Sequence, residues 1–309
     1  MNDDLENIVG EKIQIVEPSD LNVLSRIAKK KAVGLAKFIP KTETVIGKLK
    51  ADLAKNFSPT YSRAFNPELF DDDHHVKGSF FPNYSDHTVS NDNGFGAILK
   101  ELPKMLSEVI KDDEVSAALL FGESHLLSCL PELAPFSLII IGDLFPNIFH
   151  SVQEQLTMLQ RHNTPTGFAK EYFDTSPSYD RPAHYAKIPP ESKLYFIQRF
   201  LCKDLFKYGF LSSQERYTAC QEAAKRLQIS FVELNILDKE MVDKFRQCLS
   251  DSSVSLKLIN ITNIQDYATK RADLTDRLKE LPPHDSLVMK SMKYELISCI
   301  QTLESFLSA

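Results

Sequence analysis

Two apolar runs in the middle of the chain, Val115 to Phe121 and Phe136 to Ile141, each stop at a glycine followed by polar residues. The first ends in Gly122-Glu123-Ser124-His125 and the second in Gly142-Asp143. Each run is too short for anything but a buried strand or one helical turn, and each ends as a strand does when it opens into a loop. With the short amphipathic segment between them they read as one βαβ unit.

The alternation continues downstream. Pro146 and Asn147 start a helix that carries Ile148, Val152, Leu156 and Leu159. Residues 163–190 read as a loop, because Pro165, Pro177, Pro182, Pro189 and Pro190 interleave with Tyr172, Phe173, Tyr179 and Tyr185. This aromatic insertion is equally suited to close over a substrate or to pack on the N-terminal region. Helices are expected at 194–206 and 213–227, then a third strand from Ile229 whose end presents Asn235 and Asp238. A helix at 239–249 leads to a fourth strand from Val254, ending in polar groups before Asp266 and Tyr267. A helix near 269–281, a short fifth strand at 286–291 and a terminal helix from about Tyr294 complete the pattern. Such alternation predicts an α/β domain over 111–309, a Rossmann-like, mainly parallel sheet with helices on both faces.

Residues 1–110 read as a mainly helical N-terminal region. Asp20 is placed to cap a helix carrying Leu21, Leu24, Ile27 and Ala28, and Pro40 breaks or kinks any helix that continues past it. Val45, Ile46, Leu49 and Leu53 form a second helical stripe, and a helix is expected at 96–110. Between them, residues 57–95 form a long acidic and aromatic loop, a length that often serves as a lid or binding surface. Asp71-Asp72-Asp73-His74-His75 has metal-ligand residue types but no recognised ligand spacing, so a solvated acidic loop is the reading adopted and no metal is assigned. Lys29-Lys30-Lys31 reads as a solvated helix face.

Composition narrows the function classes. The chain of 309 residues is 43% hydrophobic and 25% charged, with mean hydropathy −0.22 and pI about 5.8, which is ordinary for a globular protein. A formal net charge of −6 argues against broad electrostatic capture of nucleic acid, since phosphate contacts need concentrated Lys and Arg. Cys129, Cys202, Cys220, Cys248 and Cys299 are widely spaced, without a C-x-x-C pair, and read as reduced thiols in a reducing compartment. The acidic start Met1-Asn-Asp-Asp-Leu-Glu has no signal-peptide character, and no apolar stretch approaches the roughly 18 residues of a membrane span. A cytoplasmic location is expected, in its own cell or in another to which it is delivered without a cleaved signal. The absence of Trp, the ten glycines and the abundance of Lys, Asn, Asp and Phe suggest a bacterial, AT-rich origin.

Gly122 and Asp143 stand near the roughly 20-residue spacing between a ligand-loop glycine and a ribose-binding acid in nucleotide-binding α/β domains. The succession of elements and the wording of its strand ends resemble a class I S-adenosylmethionine-dependent methyltransferase over residues 115 to about 292. Phe121-Gly122-Glu123-Ser124 stands where that family places its glycine-rich first motif, and Asp143 where its ribose-binding acid follows the second strand. Leu234-Asn235-Ile236-Leu237 resembles the third motif, which meets the adenine amine. Ile259-Asn260-Ile261-Thr262-Asn263 resembles the fourth, beside the transferred methyl group. The resemblance implies S-adenosylmethionine as cofactor, held by Gly122, Glu123, Ser124, Asp143, Asn235 and Ile236. Asn260, Asn263 and Tyr267 are then the candidates for orienting a small-molecule or protein acceptor, with Asp266 beside them.

Charge supports that ligand over a dinucleotide. A pyrophosphate requires several glycines and positive potential, whereas Gly122 is followed by Glu123, whose carboxylate attracts a cationic amine and sulfonium. In-line methyl transfer needs alignment in a dry site more than a fixed catalytic dyad. Gly122-Glu-Ser-His-Leu126 resembles a hydrolase elbow, but Leu126 occupies the second glycine position, where the backbone must turn sharply, and the esterase reading fails there. A second class stays open: a catalytically inactive protein of the same fold that engages a protein partner through its N-terminal region.

Overall fold

The computed structural model describes residues 42–58, 95–111, 113–122, 126–144, 146–175, 207–262, 271–281, 285–292 and 297–308. The chain divides into two compact units, Met1–Thr44 and Val45–Ala309, and the second carries the sheet and its helices. Helix α1 covers residues 42–57 and α2 Phe95–Val109. There follow β1 Ser116–Phe121, the one-turn α3 Leu126–Cys129, β2 Leu138–Asp143, α4 Pro146–Arg161, α5 Pro165–Thr175 and α6 Gln214–Arg226. Then come β3 Ile229–Glu233, α7 Lys239–Asp251, β4 Ser255–Asn260, α8 Arg271–Glu280, β5 Leu287–Met292, β6 Ile297–Thr302 and α9 Leu303–Ser308.

The strands form one sheet in the order β3-β2-β1-β4-β5-β6. All neighbours are parallel except β5 and β6. The expected class, a mainly parallel α/β sheet with helices on both faces, is the one observed. Every residue of β1 is buried, which is why it reads as an uninterrupted apolar run rather than an alternating one.

On one face Ala118, Leu120, Ile139, Ile141, Leu258, Leu287 and Met289 share a core with Ile98, Leu102 and Leu106 of α2 and with Phe149, Val152 and Leu159 of α4. The helical members recur on one side of each helix, the spacing that makes a single apolar stripe. On the other face α7 packs on β4 and α8 on α7. Helix α1 buries Ile46, Leu49, Leu53 and Phe57, with Phe57 edge-on to Phe245 of α7 at 6.0 Å between ring centroids.

Two expectations are corrected. The terminal helix expected from Tyr294 is a strand: Ile297–Thr302 lies antiparallel on β5, in register from Met292↔Ile297 to Leu287↔Thr302. Pairing with β5 overrides local helical preference, and only the short α9 comes after it. The loop expected from residue 163 contains α5. Pro165 occupies the first helical position, where its missing N–H costs nothing, and Thr164 Oγ1 accepts from Gly167 N–H at 3.1 Å. The proline read as a breaker is the helix start. The helix expected at 194–206 and the stripe from Leu21 lie outside the described residues.

Candidate functional site at the carboxyl ends of the strands

From β1 the chain turns to β2 on one side, while β4 lies on the other. The crevice beyond the carboxyl ends at such a reversal is where open α/β sheets bind ligands. Gly122 closes β1 with φ +69°, a left-handed conformation that costs a side-chain-bearing residue free energy and glycine almost none. Its N–H donates to the Gly142 carbonyl at 3.3 Å. Among the described residues, its chain neighbours apart, a β-carbon on Gly122 would find Asp143 Oδ2 at 3.9 Å and nothing nearer. Among the described residues nothing else covers the backbone of Gly122 on the side that faces the Asp143 carboxylate. Gly142 serves packing instead: a β-carbon there would meet Phe121 Cε1 at 3.1 Å.

Asp143 is the last residue of β2, half-buried and in register with Glu233 of β3. The Leu234 N–H donates to the Asp143 carbonyl at 3.0 Å, so the two strand ends are held together. Beyond β3, Asn235 Oδ1 accepts from Leu237 N–H at 3.0 Å and shapes a local turn. Ile236 is buried beneath it. Asp238 caps α7, accepting from Glu240 and Met241 N–H at 2.9 and 3.2 Å.

Across β1, Asn260 ends β4 and is buried. Its Oδ1 accepts from Thr262 N–H at 2.9 Å and from Thr262 Oγ1 at 2.7 Å. The side chain therefore shapes the loop after β4, while Ile261 N–H donates to the Met289 carbonyl at 2.8 Å. Gly122 and Asp143 are brought side by side, Asn235 and Ile236 lie one strand further out, and Asn260 lies on the opposite flank of β1. Glu123, Ser124, Asn263 and Tyr267 lie outside the described residues, as do His125, Asp266 and Asp71 to His75.

Two residues absent from the sequence-derived set belong here. Among the described residues the large hydrophobic side chains left exposed are Leu144, at 46%, and Leu237, at 37%. Each follows a strand end on this edge, one after β2 and the other after β3. Sequence offers no signal that separates them from core leucines: Leu234, directly after the polar end of β3, is 2% exposed, whereas Leu144, directly after Asp143, is exposed. Leu144 and Leu237 each leave exposed apolar surface beyond a strand that ends in a carboxylate, Asp143 for β2 and Glu233 for β3, and apolar surface next to such groups suits a ligand with both a flat apolar part and hydroxyl or cationic groups.

Among the described residues no group of three or more His, Cys, Asp or Glu side chains could hold a metal ion, and no helix is long and apolar enough to cross a membrane. Cys129, Cys220 and Cys248 are free and buried. Burial raises the pKa of all three, that of Cys220 to about 12. These thiols are inert at neutral pH.

No family model matches the chain, and no curated protein does. Two solved structures of the rRNA methyltransferase aviRa from Streptomyces viridochromogenes are similar to it. The first has 12% identity and a TM-score of 0.34, covering 75% of this chain and 82% of the other. The second has 13% identity and a TM-score of 0.34, covering 68% and 79%. A likeness of that degree adds nothing to the strand order already described.

Proposed function

We propose that the chain is an S-adenosylmethionine-dependent methyltransferase acting on a small-molecule or protein acceptor. The observation that carries this reading is the juxtaposition of Gly122, in the left-handed conformation and uncovered, with the Asp143 carboxylate at the reversal of strand order. An uncovered glycine lets a ligand approach the backbone, and a carboxylate on the next strand end accepts hydrogen bonds from a ribose diol. The exposed Leu144 and Leu237 supply apolar surface for the purine ring, with Asn235 and Ile236 shaping the turn beneath. The fit is to a ligand without phosphate, since Asp143 and Glu233 stand in register at the two strand ends.

The cofactor supplies an electrophilic methyl group on a sulfonium. The chain's own task is to hold donor and acceptor in line and exclude water. Asn260, which also fixes the turn after β4 through Thr262, is with Asn263, Asp266 and Tyr267 our candidate set for orienting the acceptor. The net charge of −6 supports an acceptor other than bulk nucleic acid, and a reducing, cytoplasmic setting suits the free thiols.

Calorimetric titration with S-adenosylhomocysteine tests the reading. Micromolar binding by the intact protein, lost in Asp143→Ala with the fold retained, is the expected result. Undiminished binding in that variant removes Asp143 from the site and with it this reading. One observation favours the inactive binding protein: the side-chain oxygens of Asn235 and Asn260 both bond their own loops. That alternative predicts no thermal shift with any adenosyl ligand and a discrete protein partner on pull-down.

A further inference from the structure

Helix α3 is too short to hold its own place. Its four residues, Leu126–Cys129, are all buried, and a single helical turn is marginal without tertiary contacts. Only three residues separate it from Gly122, so the position of α3 limits where the chain leaving β1 can run. The groups that hold α3 come from α6 and the residues just before it. Arg216 Nη2 donates to the Ser128 carbonyl, and Ser128 Oγ accepts from Phe210 N–H at 3.2 Å. The same guanidinium donates to both carboxylate oxygens of Glu132, just past α3, at 2.6 Å each.

Helix α6 also holds the helix that follows the second strand end. Tyr217 Oη donates to the Leu159 and His162 carbonyls at 3.3 and 3.1 Å, and Gln221 Nε2 donates to the same two at 2.6 and 2.8 Å. These carbonyls close α4, which starts at Pro146, shortly after Asp143 ends β2. One helix thus grips both the segment reached from Gly122 and the helix reached from Asp143. The Arg216–Glu132 pair is a demanding way to fill its space: the side chains are 21% and 9% exposed, and Arg216 Nε is sealed from solvent without a hydrogen-bond partner. An apolar pair of similar volume is often as stable or more so, and what two parallel N–H···O bonds add is a fixed geometry.

We propose that Arg216 is a positioning residue for the ligand edge: through Ser128 and Glu132 it fixes α3, and so sets how closely a ligand approaches the backbone of Gly122. The inference rests on the methyltransferase reading and adds to it a residue that acts on cofactor binding from outside the cofactor site.

The test separates position from stability. In Glu132→Leu with Arg216→Met an apolar pair replaces the charges, so the urea midpoint should stay near that of the intact protein while calorimetric affinity for S-adenosylhomocysteine falls roughly tenfold. Arg216→Lys keeps the charge and loses the double bond pattern to Glu132, and should show the same fall; it decides alone if the double variant does not fold. Titrations run far below each unfolding midpoint, so loss of folded protein does not enter. Native-state hydrogen exchange supplies a readout that needs no ligand. The amides of Gly122 and Leu133, which donate to the Gly142 and Cys129 carbonyls, should exchange about tenfold faster in both variants, beyond any change at Leu119 and Ile140 in the sheet core. Undiminished affinity in the variants, or exchange at Gly122 and Leu133 that changes only as much as in the sheet core, overturns the proposal. Absence of binding by the intact protein fails the methyltransferase reading instead, and the exchange rates then decide whether Arg216 positions α3.

Discussion

Arg216 of α6 grips Glu132 with both ends of its guanidinium, Nη1 to Oε1 and Nη2 to Oε2, each at 2.6 Å. Nη2 also donates to the Ser128 carbonyl, and Ser128 Oγ accepts from Phe210 N–H at 3.2 Å. This network ties α3, the short helix reached from the Gly122 loop, to α6. The Glu132 side chain is 9% exposed, so removing it strands a largely buried guanidinium. Glu132→Ala should cost about 3–5 kcal/mol in urea unfolding. Glu132→Leu with Arg216→Met should recover most of that loss, because an apolar pair leaves no charge uncompensated.

The thiols near that pair set an alkaline limit. Burial, with Arg216 opposing and Glu132 adding, raises the pKa of Cys220 to about 12, and burial first and Glu132 second raise that of Cys129. A thiol whose pKa is raised by folding stabilises the native state below its unfolded value. That contribution is lost as pH rises, because the unfolded chain gives up the proton first. Stability should therefore fall from pH ~9 toward pH ~12. Cys220→Ala should flatten the slope in a series of urea titrations, even though its neutral-pH stability is lower. An unchanged slope would count against the linkage.

Gly122→Ala separates conformation from contact. Among the described residues nothing beyond the chain neighbours lies within 3.4 Å of the added carbon, so steric overlap with them is not the obstacle. The positive φ should cost about 1–2 kcal/mol, and S-adenosylhomocysteine should bind more weakly than this loss of stability explains.

Ser253 also has positive φ, 54°, just beyond α7. There Val254 N–H donates to the Leu249 carbonyl at 3.0 Å, and Ser253 N–H to the Ser250 carbonyl at 2.9 Å. A helix end of this kind favours glycine. Ser253→Gly should raise the urea midpoint by the equivalent of about 0.5–1 kcal/mol with the m-value unchanged.

Gly96 in α2 lies against the Tyr208 ring, so close that a β-carbon would be 2.6 Å from Tyr208 Cγ. Gly96→Ala should destabilise by roughly 1–3 kcal/mol through overpacking. A double variant with Tyr208→Leu should restore part of the loss, and strict additivity in the thermal melts would show that the two positions do not touch.

The parallel core was legible because β1 and β2 are buried on both faces and so leave long apolar runs, each ended by glycine. Gly122 and Asp143 were legible for the same reason, since strand ends mark themselves. Leu144 and Leu237 were not, because an apolar residue beside a strand reads as more core unless its exposure is known. The bonds from Thr262 to the Asn260 oxygen were not legible either, because only the folded chain after β4 brings those groups together. Pro165 was read as a breaker, although the same fixed φ that breaks a helix interior also starts one.

Local patterning by itself determined the alternation of strand and helix, the amphipathic stripes of α1 and α4, and the polar ends of the strands. These depend on periodicity and on short-range conformational preference, which each segment carries within itself. Tertiary structure alone decided the strand order, the conversion of 297–302 from expected helix to antiparallel strand, and the pairing of Arg216 with Glu132. Those outcomes depend on which distant segments share a face, because pairing and burial act between residues that the linear sequence keeps apart.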